Sequence, residues 1–211
     1  MTPTEHATAL KACADGLQFA GTVADMAELW PRMQRSEFIL WYLQRRRIRH
    51  PVLLRQFARE TAGRFRSLVK DPIMDACLDV EHDPALYRIA TQRLDRLMLP
   101  QGVVTFDAIL AFSRRDLLTY LWYVATGLAA RAAAATIAPG ALRAAFVASR
   151  DCTLVGAAVH IAAQLRRHGY TEDSAIRLHQ LQDWAAAAVV GEQRWQAERL
   201  RDLLPNPFAD V

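Results

Sequence analysis

The sequence predicts an all-α protein in which a cluster of short N-terminal helices packs on an antiparallel bundle of three long helices. Residues 113–204 form an alanine-rich stretch with apolar residues at helical spacing, interrupted by only two short breaks. No stretch predicts a sheet, since the one strand-like run, residues 102–106, has no partner and is expected to be a loop. We expect one continuous domain in two parts, residues 1–100 and residues 101–211.

The first long helix is expected to run from about Arg114 to Ile137. Ser113 and Asp116 have the spacing of a capping box, in which each side chain accepts a hydrogen bond from the other residue's backbone amide. Pro139 ends the helix, because proline has no amide hydrogen to donate and fits only the first turn of a following helix.

The second long helix follows this break and is expected to run to His168. Gly169 can then take the left-handed conformation that closes many helices, at no steric cost. Thr171 is expected to cap the third helix, which continues to Pro205. Both turns are short, and short turns make consecutive helices antiparallel neighbours.

Side-chain size predicts that the middle helix lies at the centre of this bundle. It carries small residues that allow close approach of neighbouring backbones: Ala141, Ala144, Ala145, Ala148, Gly156, Ala157, Ala158, Ala162 and Ala163. Larger residues at helical spacing on its neighbours are expected to fill the seams. They are Leu117, Tyr120, Leu121, Val124 and Leu128 on the first helix, and Leu178, Leu181, Trp184, Ala188 and Trp195 on the third.

Shorter helices are predicted before residue 100. Their expected ranges are 5–14, 23–29, 37–46, 51–70, 72–80 and 84–98. Trp30-Pro31 is expected to end the second of these, and Ser36 to cap the third. Asp71-Pro72 and Asp83-Pro84 each place a capping acceptor just before a proline suited to the first helical turn.

Composition predicts a soluble protein of the cytoplasm. The chain is 52% hydrophobic, which is typical of a globular domain. Three scattered cysteines, Cys13, Cys77 and Cys152, favour reduced thiols over a disulfide framework. Residues 1–8 lack the apolar core of a secretory signal. Residues 117–138 are the one candidate membrane span, but their arginine and hydroxyl side chains favour a buried helix instead, so no membrane association is expected.

Charge is concentrated in the N-terminal part. Residues 31–70 contain ten arginines and one lysine against two glutamates, a net charge of +9, whereas residues 71–83 contain five acids and no arginine or lysine. A helix over residues 51–70 turns by about 100° per residue, which would align four of these cations in a basic stripe. They are Arg55, Arg59, Arg66 and Lys70.

The basic stripe has two interpretations that the sequence leaves open. It can be a solvated face, or one paired with Asp71, Asp75 and Asp79 on the following helix. It can instead bind an acidic protein surface or a phosphate backbone, with Arg45, Arg46 and Arg47 beside it. No recognition-helix, zinc-finger or aromatic stacking pattern accompanies these arginines.

No motif predicts catalysis, a cofactor or a metal site. The chain has no phosphate-binding glycine loop, no nucleophile elbow and no dinucleotide fingerprint. Its densest group of ligand-type residues, Asp79, Glu81, His82 and Asp83, straddles a predicted helix end, where a solvated loop is expected. We therefore expect no catalytic residue, no metal and no cofactor.

Two stretches carry a resemblance to known proteins. Residues 192–208, which contain Leu-Arg-Asp and then Asn-Pro-Phe, resemble the closing segment of an uncharacterised group of alanine-rich helical proteins from bacteria and their phages. Trp30 followed by residues 36–43 resembles a tryptophan-rich segment of similar proteins, with Phe38 where those have tryptophan. The alanine-rich helices between these stretches resemble immunity proteins of toxin systems. The resemblance implies an α-helical cytoplasmic protein and transfers no catalytic residue.

Three functions are consistent with these observations. The first is a non-enzymatic, immunity-like protein that covers an acidic partner with the basic stripe. The second is a nucleic-acid-associated protein that uses the same stripe together with Arg45, Arg46 and Arg47. The third is an enzyme whose site is assembled across helices, which a polar cavity with a strongly perturbed titratable group would reveal.

Overall fold

The computed structural model describes residues 1–96, 117–170 and 178–208. Within these ranges the chain forms ten α-helices and one 3-10 helix, with no strand, which confirms the predicted all-α class. The short helices are α1 (Pro3–Ala9), α2 (Ala14–Gly21), α3 (Met26–Arg32), α4 (Ser36–Arg45), α5 (Pro51–Gly63), α6 (Pro72–Ala76) and α7 (Pro84–Arg96). The long helices are α8 (Leu117–Thr136), α9 (Ala141–Arg167) and α10 (Leu178–Leu203).

Helix α9 makes the most extensive contacts, as its small side chains predict. It packs chiefly against α8 and then against α10 and α5, so α5 joins the long helices around it. Ala144, Ala148 and Ala158 on α9 are fully buried. Because alanine projects a single methyl group, the neighbouring helices can approach α9 on several sides.

The turns around α9 have the backbone geometry that their glycines allow. Gly140, the N-cap of α9, has φ 85°, and Gly169 has φ 63° just after its last turn. The amide of Tyr170 donates to the carbonyl of Leu165 at 2.9 Å, which completes the left-handed closure predicted at Gly169. The predicted caps Ser113 and Thr171, and the loop over residues 102–106, lie outside the described residues.

The first predicted helix is wrong in its extent. Instead of one helix over residues 5–14, α1 and α2 are separated by Lys11, whose φ is 59°. A capping box between Thr2 and Glu5 starts α1 earlier than expected, and α2 was not predicted at all.

Helix α3 begins at Met26 and continues through Pro31. Proline removes one helical hydrogen bond at this position, and the burial of Trp30 in the core offsets that loss.

Helix α5 ends at Gly63, not at Lys70 as the sequence predicts. The chain then turns through a 3-10 helix, Arg66–Leu68, which lets Phe65 and Leu68 pack against the main apolar cluster. Glycine is a weak helix former, and burial of these two side chains favours the turn over further helix. Helix α6 is also shorter than the predicted 72–80.

Two main apolar clusters form the core. The larger cluster contains residues of α8, of the middle of α9, and of α6 and α7. The second joins α3 and α4 to the first turns of α9, to the end of α10 and to Phe208. Phe208 is 2% exposed, and its ring centroid lies 4.8 Å from that of Tyr42 and 5.9 Å from that of His6.

Helix α9 is the one described helix that is long and apolar enough to cross a membrane, judged by length and composition. Of its most apolar 18-residue segment, 61% is buried inside the protein. The core helix of a folded domain meets the same criterion. Helix α8, within the span considered from the sequence, is also buried along most of its length.

Candidate partner-binding site

The predicted basic stripe does not form one face, because α5 ends before two of its four members. Arg66 lies in the 3-10 helix and binds two carboxylates, with Nε 2.7 Å from Asp75 and Nη2 2.7 Å from Asp79. These hydrogen bonds, the one to Asp79 foremost, raise the pKa of Arg66, and the guanidinium lowers the pKa of Asp79. The guanidinium of Arg66 is therefore already paired with carboxylates of the same chain.

The other stripe residues also have partners within the chain. Arg55 Nη1 donates to the carbonyls of Thr136 and Ala138, both at 3.1 Å, where it neutralises the negative end of α8. Arg59 lies 3.7 Å from Glu81. Lys70 Nζ donates to the backbone carbonyl of Ser67 at 2.7 Å. Only Arg66 has the partners named in the paired interpretation, Asp75 and Asp79, and Asp71 lies 3.7 Å from Arg93 instead.

Arg45 is the last residue of α4, and Arg46 and Arg47 follow it in an exposed turn. Arg49 is exposed beside them. None of these four arginines forms an ion pair with a carboxylate of the described residues. Arg45 instead lies over the ring of Trp41, 5.8 Å from its centroid. The end of α4 and the turn after it therefore present four arginines without a carboxylate partner among the described residues.

Arg47 occupies a backbone conformation that favours glycine. Its φ is 53°. Its amide donates to the carbonyl of Gln44 at 3.2 Å, and the amide of Ile48 donates to the carbonyl of Leu43 at 3.0 Å. This is the Schellman closure of a helix, in which the position of Arg47 is usually glycine. A bulky side chain in this conformation costs about 1 kcal/mol.

The exposed turn borders a groove of about 510 Å³ that also includes the start of α9. We call it the basic groove and define it by its four cationic or titratable side chains: Arg47, Arg49, His50 and Arg143. Its apolar lining comes from Leu43, Ile48, Leu54, Ala141 and Leu142. Two chain segments far apart in sequence therefore bring their basic side chains to one concave surface.

The first turn of α9 adds positive potential to the basic groove. Gly140 provides no side-chain cap, so the free amides at the start of this 27-residue helix are not satisfied by a cap. Arg143 stands in the same turn, where a cation is normally unfavourable beside the positive end of the helix dipole. That unusual placement is the signal by which Arg143 could have been found from the sequence, and it was missed.

A second polar group is buried where α4, α9 and α10 meet. The hydroxyls of Ser36 and Ser149 both donate to Gln196 Oε1, and Gln196 Nε2 donates to Glu192 at 3.0 Å. Glu192 pairs with Arg64 at 3.1 Å. Ser36, predicted as a helix cap, is in fact the first residue of α4 and directs its hydroxyl into this group, because the buried partners are better placed than the helix amides.

Burial raises the pKa of Glu192, while the hydrogen bond from Gln196 and the charge of Arg64 oppose the rise. A second buried carboxylate, Asp151, is held by Arg131 at 2.6 Å and Arg150 at 3.0 Å. Both carboxylates have their partners inside the protein. We interpret these groups as parts of the helix packing.

The ligand-type residues noted in the sequence are engaged separately. Asp83 accepts hydrogen bonds from the amides of Ala85 and Leu86 at the start of α7, and His82 Nδ1 lies 2.9 Å from the carbonyl of Ile137. Over the described ranges, no group of three or more His, Cys, Asp or Glu side chains is arranged to hold a metal ion.

Comparison with known proteins finds no match: no family model, no curated protein and no solved structure resembles this chain significantly. The functional argument therefore depends on the geometry and charge of the described residues.

Proposed function

We propose that the protein is a non-enzymatic, immunity-like binding protein that holds an acidic protein partner in the basic groove. The observation that supports this proposal is that some arginines have partners within the chain and others do not. Arg55, Arg59 and Arg66 have partners inside the protein, whereas Arg47 and Arg143 border a groove and have no carboxylate partner among the described residues. Unpaired cations on a concave surface attract an acidic ligand.

The conformation of Arg47 supports this proposal. Glycine would remove the steric cost of its left-handed backbone. A charged side chain at a strained position is expected where that side chain has a use beyond the fold. In the proposal that use is a bidentate contact with a partner's carboxylate, which the planar guanidinium geometry favours.

The apolar lining of the basic groove favours a protein over a nucleic acid. Leu43, Ile48 and Leu54 offer carbon surface that an apolar side chain of a partner can cover. Single-stranded nucleic acids are instead held by aromatic side chains on which bases stack, and the residues lining the groove include no Phe, Tyr or Trp. We infer a partner segment in which acidic residues flank an apolar anchor.

The proposed architecture places the groove between the two parts of the chain. The cluster of short helices sits on the antiparallel bundle of long helices, and the groove lies where the two parts join. Arg47 then belongs to the short-helix cluster and Arg143 to the bundle. In the proposal, a partner contacts the side chains of Arg47 and Arg143 together, and this protein binds it without a conformational change.

The test compares two probes by fluorescence anisotropy: an acidic peptide with one central leucine, and a short duplex DNA. At about 150 mM salt, where long-range attraction between exposed charges is screened, the peptide should bind. The double variant Arg47→Glu/Arg143→Glu should weaken its binding about tenfold or more, equivalent to about 1.4 kcal/mol. The matched control is Arg167→Glu/Arg194→Glu, which makes the same charge change at exposed sites away from the groove.

Each result has a defined meaning. Equal loss in both double variants would show a general charge effect and contradict a groove site. Tighter binding of DNA, with a steep dependence on salt that the groove variant reduces, would replace the protein partner with a nucleic acid. Absence of binding to either probe would contradict the proposal.

A further inference from the structure

A second, more apolar cleft lies on another side of the N-terminal helices, between α1, α2, α4 and α9. Its volume is about 420 Å³, within the range of about 300–1,000 Å³ that is typical of small-molecule sites. An apolar cavity of about 150 Å³ is large enough for benzene. Leu10, Phe19, Phe38, Trp41 and Phe146 supply most of its large apolar side chains. It shares no lining residue with the basic groove.

Two residues that line this cleft each have a buried nitrogen atom without a hydrogen-bond partner among the described residues. These atoms are Nε2 of His6 and Nε of Arg35. His6 is only 6% exposed, so its Nε2 is shielded from bulk water. A buried polar atom without a partner costs about 1–3 kcal/mol. That both atoms belong to residues lining one cavity indicates that a ligand completes their hydrogen bonding.

The remaining charges of the cleft are balanced within the protein. The terminal nitrogens of Arg35 bind Asp15 at 3.1 Å and Glu37 at 2.8 Å. Arg150, at the other end of the cleft, binds Asp151 at 3.0 Å. Since each guanidinium already has a carboxylate, an anionic ligand would find no unpaired cation, and a cationic ligand no unpaired carboxylate.

His6 contributes as a neutral side chain. Burial, with a smaller effect from the positive charge of Arg46, lowers its pKa. Its ring packs against Tyr42 and Phe208, with ring centroids 5.8 Å and 5.9 Å away. These aromatic contacts restrain the ring, so the unpaired Nε2 has a defined position from which to donate or accept one hydrogen bond.

We propose that this cleft binds an uncharged, largely apolar small molecule that carries one or two hydrogen-bonding oxygen atoms. The apolar body lies against the aromatic lining. The oxygen accepts from the Nε–H of Arg35 or exchanges a hydrogen bond with Nε2 of His6. The site is independent of the basic groove, and it takes a different chemical class of ligand.

The test uses the neutral dye N-phenyl-1-naphthylamine as a fluorescent probe of the cleft, displaced by 1-decanol or by decanoate. Decanol should displace the dye at about tenfold lower concentration than decanoate, because the cleft offers no unpaired cation to the carboxylate. His6→Phe should weaken the binding of decanol about fivefold to tenfold, the loss expected for one hydrogen bond, after correction for the dye affinity measured for each variant.

Occlusion of the cleft gives the matched control. Cys13 is exposed and lines the cleft, so Cys13→Trp should abolish dye binding, whereas Ser67→Trp, at an exposed site elsewhere, should leave it unchanged. Should Cys13→Trp fail to fold, saturating decanol should slow alkylation of Cys13 in the unmodified protein, with Cys77 and Cys152 buried. Stronger displacement by decanoate, dye binding that survives occlusion, or alkylation that decanol does not slow would overturn the proposal.

Discussion

Ser36 Oγ lies 2.8 Å from Oε1 of Gln196, a residue 160 positions later in the chain. Ser149 Oγ shares this contact, 2.6 Å from the same oxygen and 2.9 Å from Ser36 Oγ. All three side chains are essentially excluded from solvent. Apolar packing alone tolerates small shifts of one helix along another, but a buried hydrogen-bonded group does not, so it fixes the relative position of α4, α9 and α10.

Substitutions in this group should differ in cost. Ser36→Ala leaves Gln196 Oε1 with the hydroxyl of Ser149, so the free energy of unfolding should fall by only about 1 kcal/mol. Gln196→Leu leaves both hydroxyls and Glu192 without their common partner and should cost about 2–3 kcal/mol. Urea unfolding followed by circular dichroism measures both values. Ser67→Ala, at an exposed site, is the control, and equal costs for the two core variants would contradict the shared role of Gln196.

Glu192 should make stability depend on pH. Burial raises its pKa above the ordinary value of 4.5, so the folded protein holds this proton more tightly than the unfolded chain does. The contribution of Glu192 to the free energy of unfolding therefore falls as pH rises from about 4.5 through the folded-state pKa. In urea unfolding from about pH 4 to pH 7, Glu192→Gln should gain stability relative to the unmodified protein as pH increases. Glu198→Gln, the same substitution at an exposed site of the same helix, is the control, and curves that run parallel for Glu192→Gln and the unmodified protein would refute the prediction.

Arg47→Gly should separate stability from binding. Glycine accepts φ 53° without strain, so the free energy of unfolding should rise by up to about 1 kcal/mol, while affinity for the acidic peptide falls. Arg46→Gly is the control because Arg46 has φ −82°, where glycine relieves nothing and stability should fall. Thermal unfolding and anisotropy measure the two effects. Unchanged peptide affinity in Arg47→Gly would argue against a contact from this side chain.

Arg131→Met should be strongly destabilising. Asp151 is fully buried, and Arg131 holds both of its oxygens, at 2.6 Å and 2.9 Å. Removing one partner of a buried pair costs about 3–5 kcal/mol, and the value should lie at the lower end because Arg150 still contacts Asp151. The double variant Arg131→Met/Asp151→Leu should recover part of the loss. Arg66→Met, which breaks an exposed pair, should change stability little.

Thr61→Val should stabilise the protein. Thr61 is fully buried, and its Oγ1 has no hydrogen-bond partner among the described residues. Valine has nearly the same shape and no hydroxyl, so the free energy of unfolding should rise by about 1 kcal/mol. His6→Phe should stabilise the ligand-free protein for the same reason. A loss of stability in Thr61→Val would indicate an internal water at the hydroxyl.

Local sequence signals predicted several helix ends correctly. Asp71 accepts from the amides of Ile73 and Met74 at the start of α6, as the Asp-Pro pair predicts. Gly169 has the predicted left-handed backbone. These predictions succeed because the cap and the groups that it satisfies lie within a few residues of each other, so no distant contact is needed to define them.

Long-range packing explains what the sequence did not reveal. Ser36 has the signal of a cap, but Ser149 and Gln196 satisfy its hydroxyl instead. The predicted basic stripe requires a helix that continues to Lys70. Helix α5 instead ends at Gly63, and Phe65 packs against the apolar core. The basic groove joins Arg47 to Arg143, which are 96 positions apart, and no periodicity relates residues at that separation.

Phe208 packs against both His6 and Tyr42, so the segment after α10 and the first helix cover one another. If either segment detaches, aromatic side chains of the other become exposed to water. Their local opening should therefore be one cooperative event. Amide hydrogens at the end of α1 and at the end of α10 would then share one exchange free energy, and a Phe208→Ala substitution would speed exchange at both ends of the chain together.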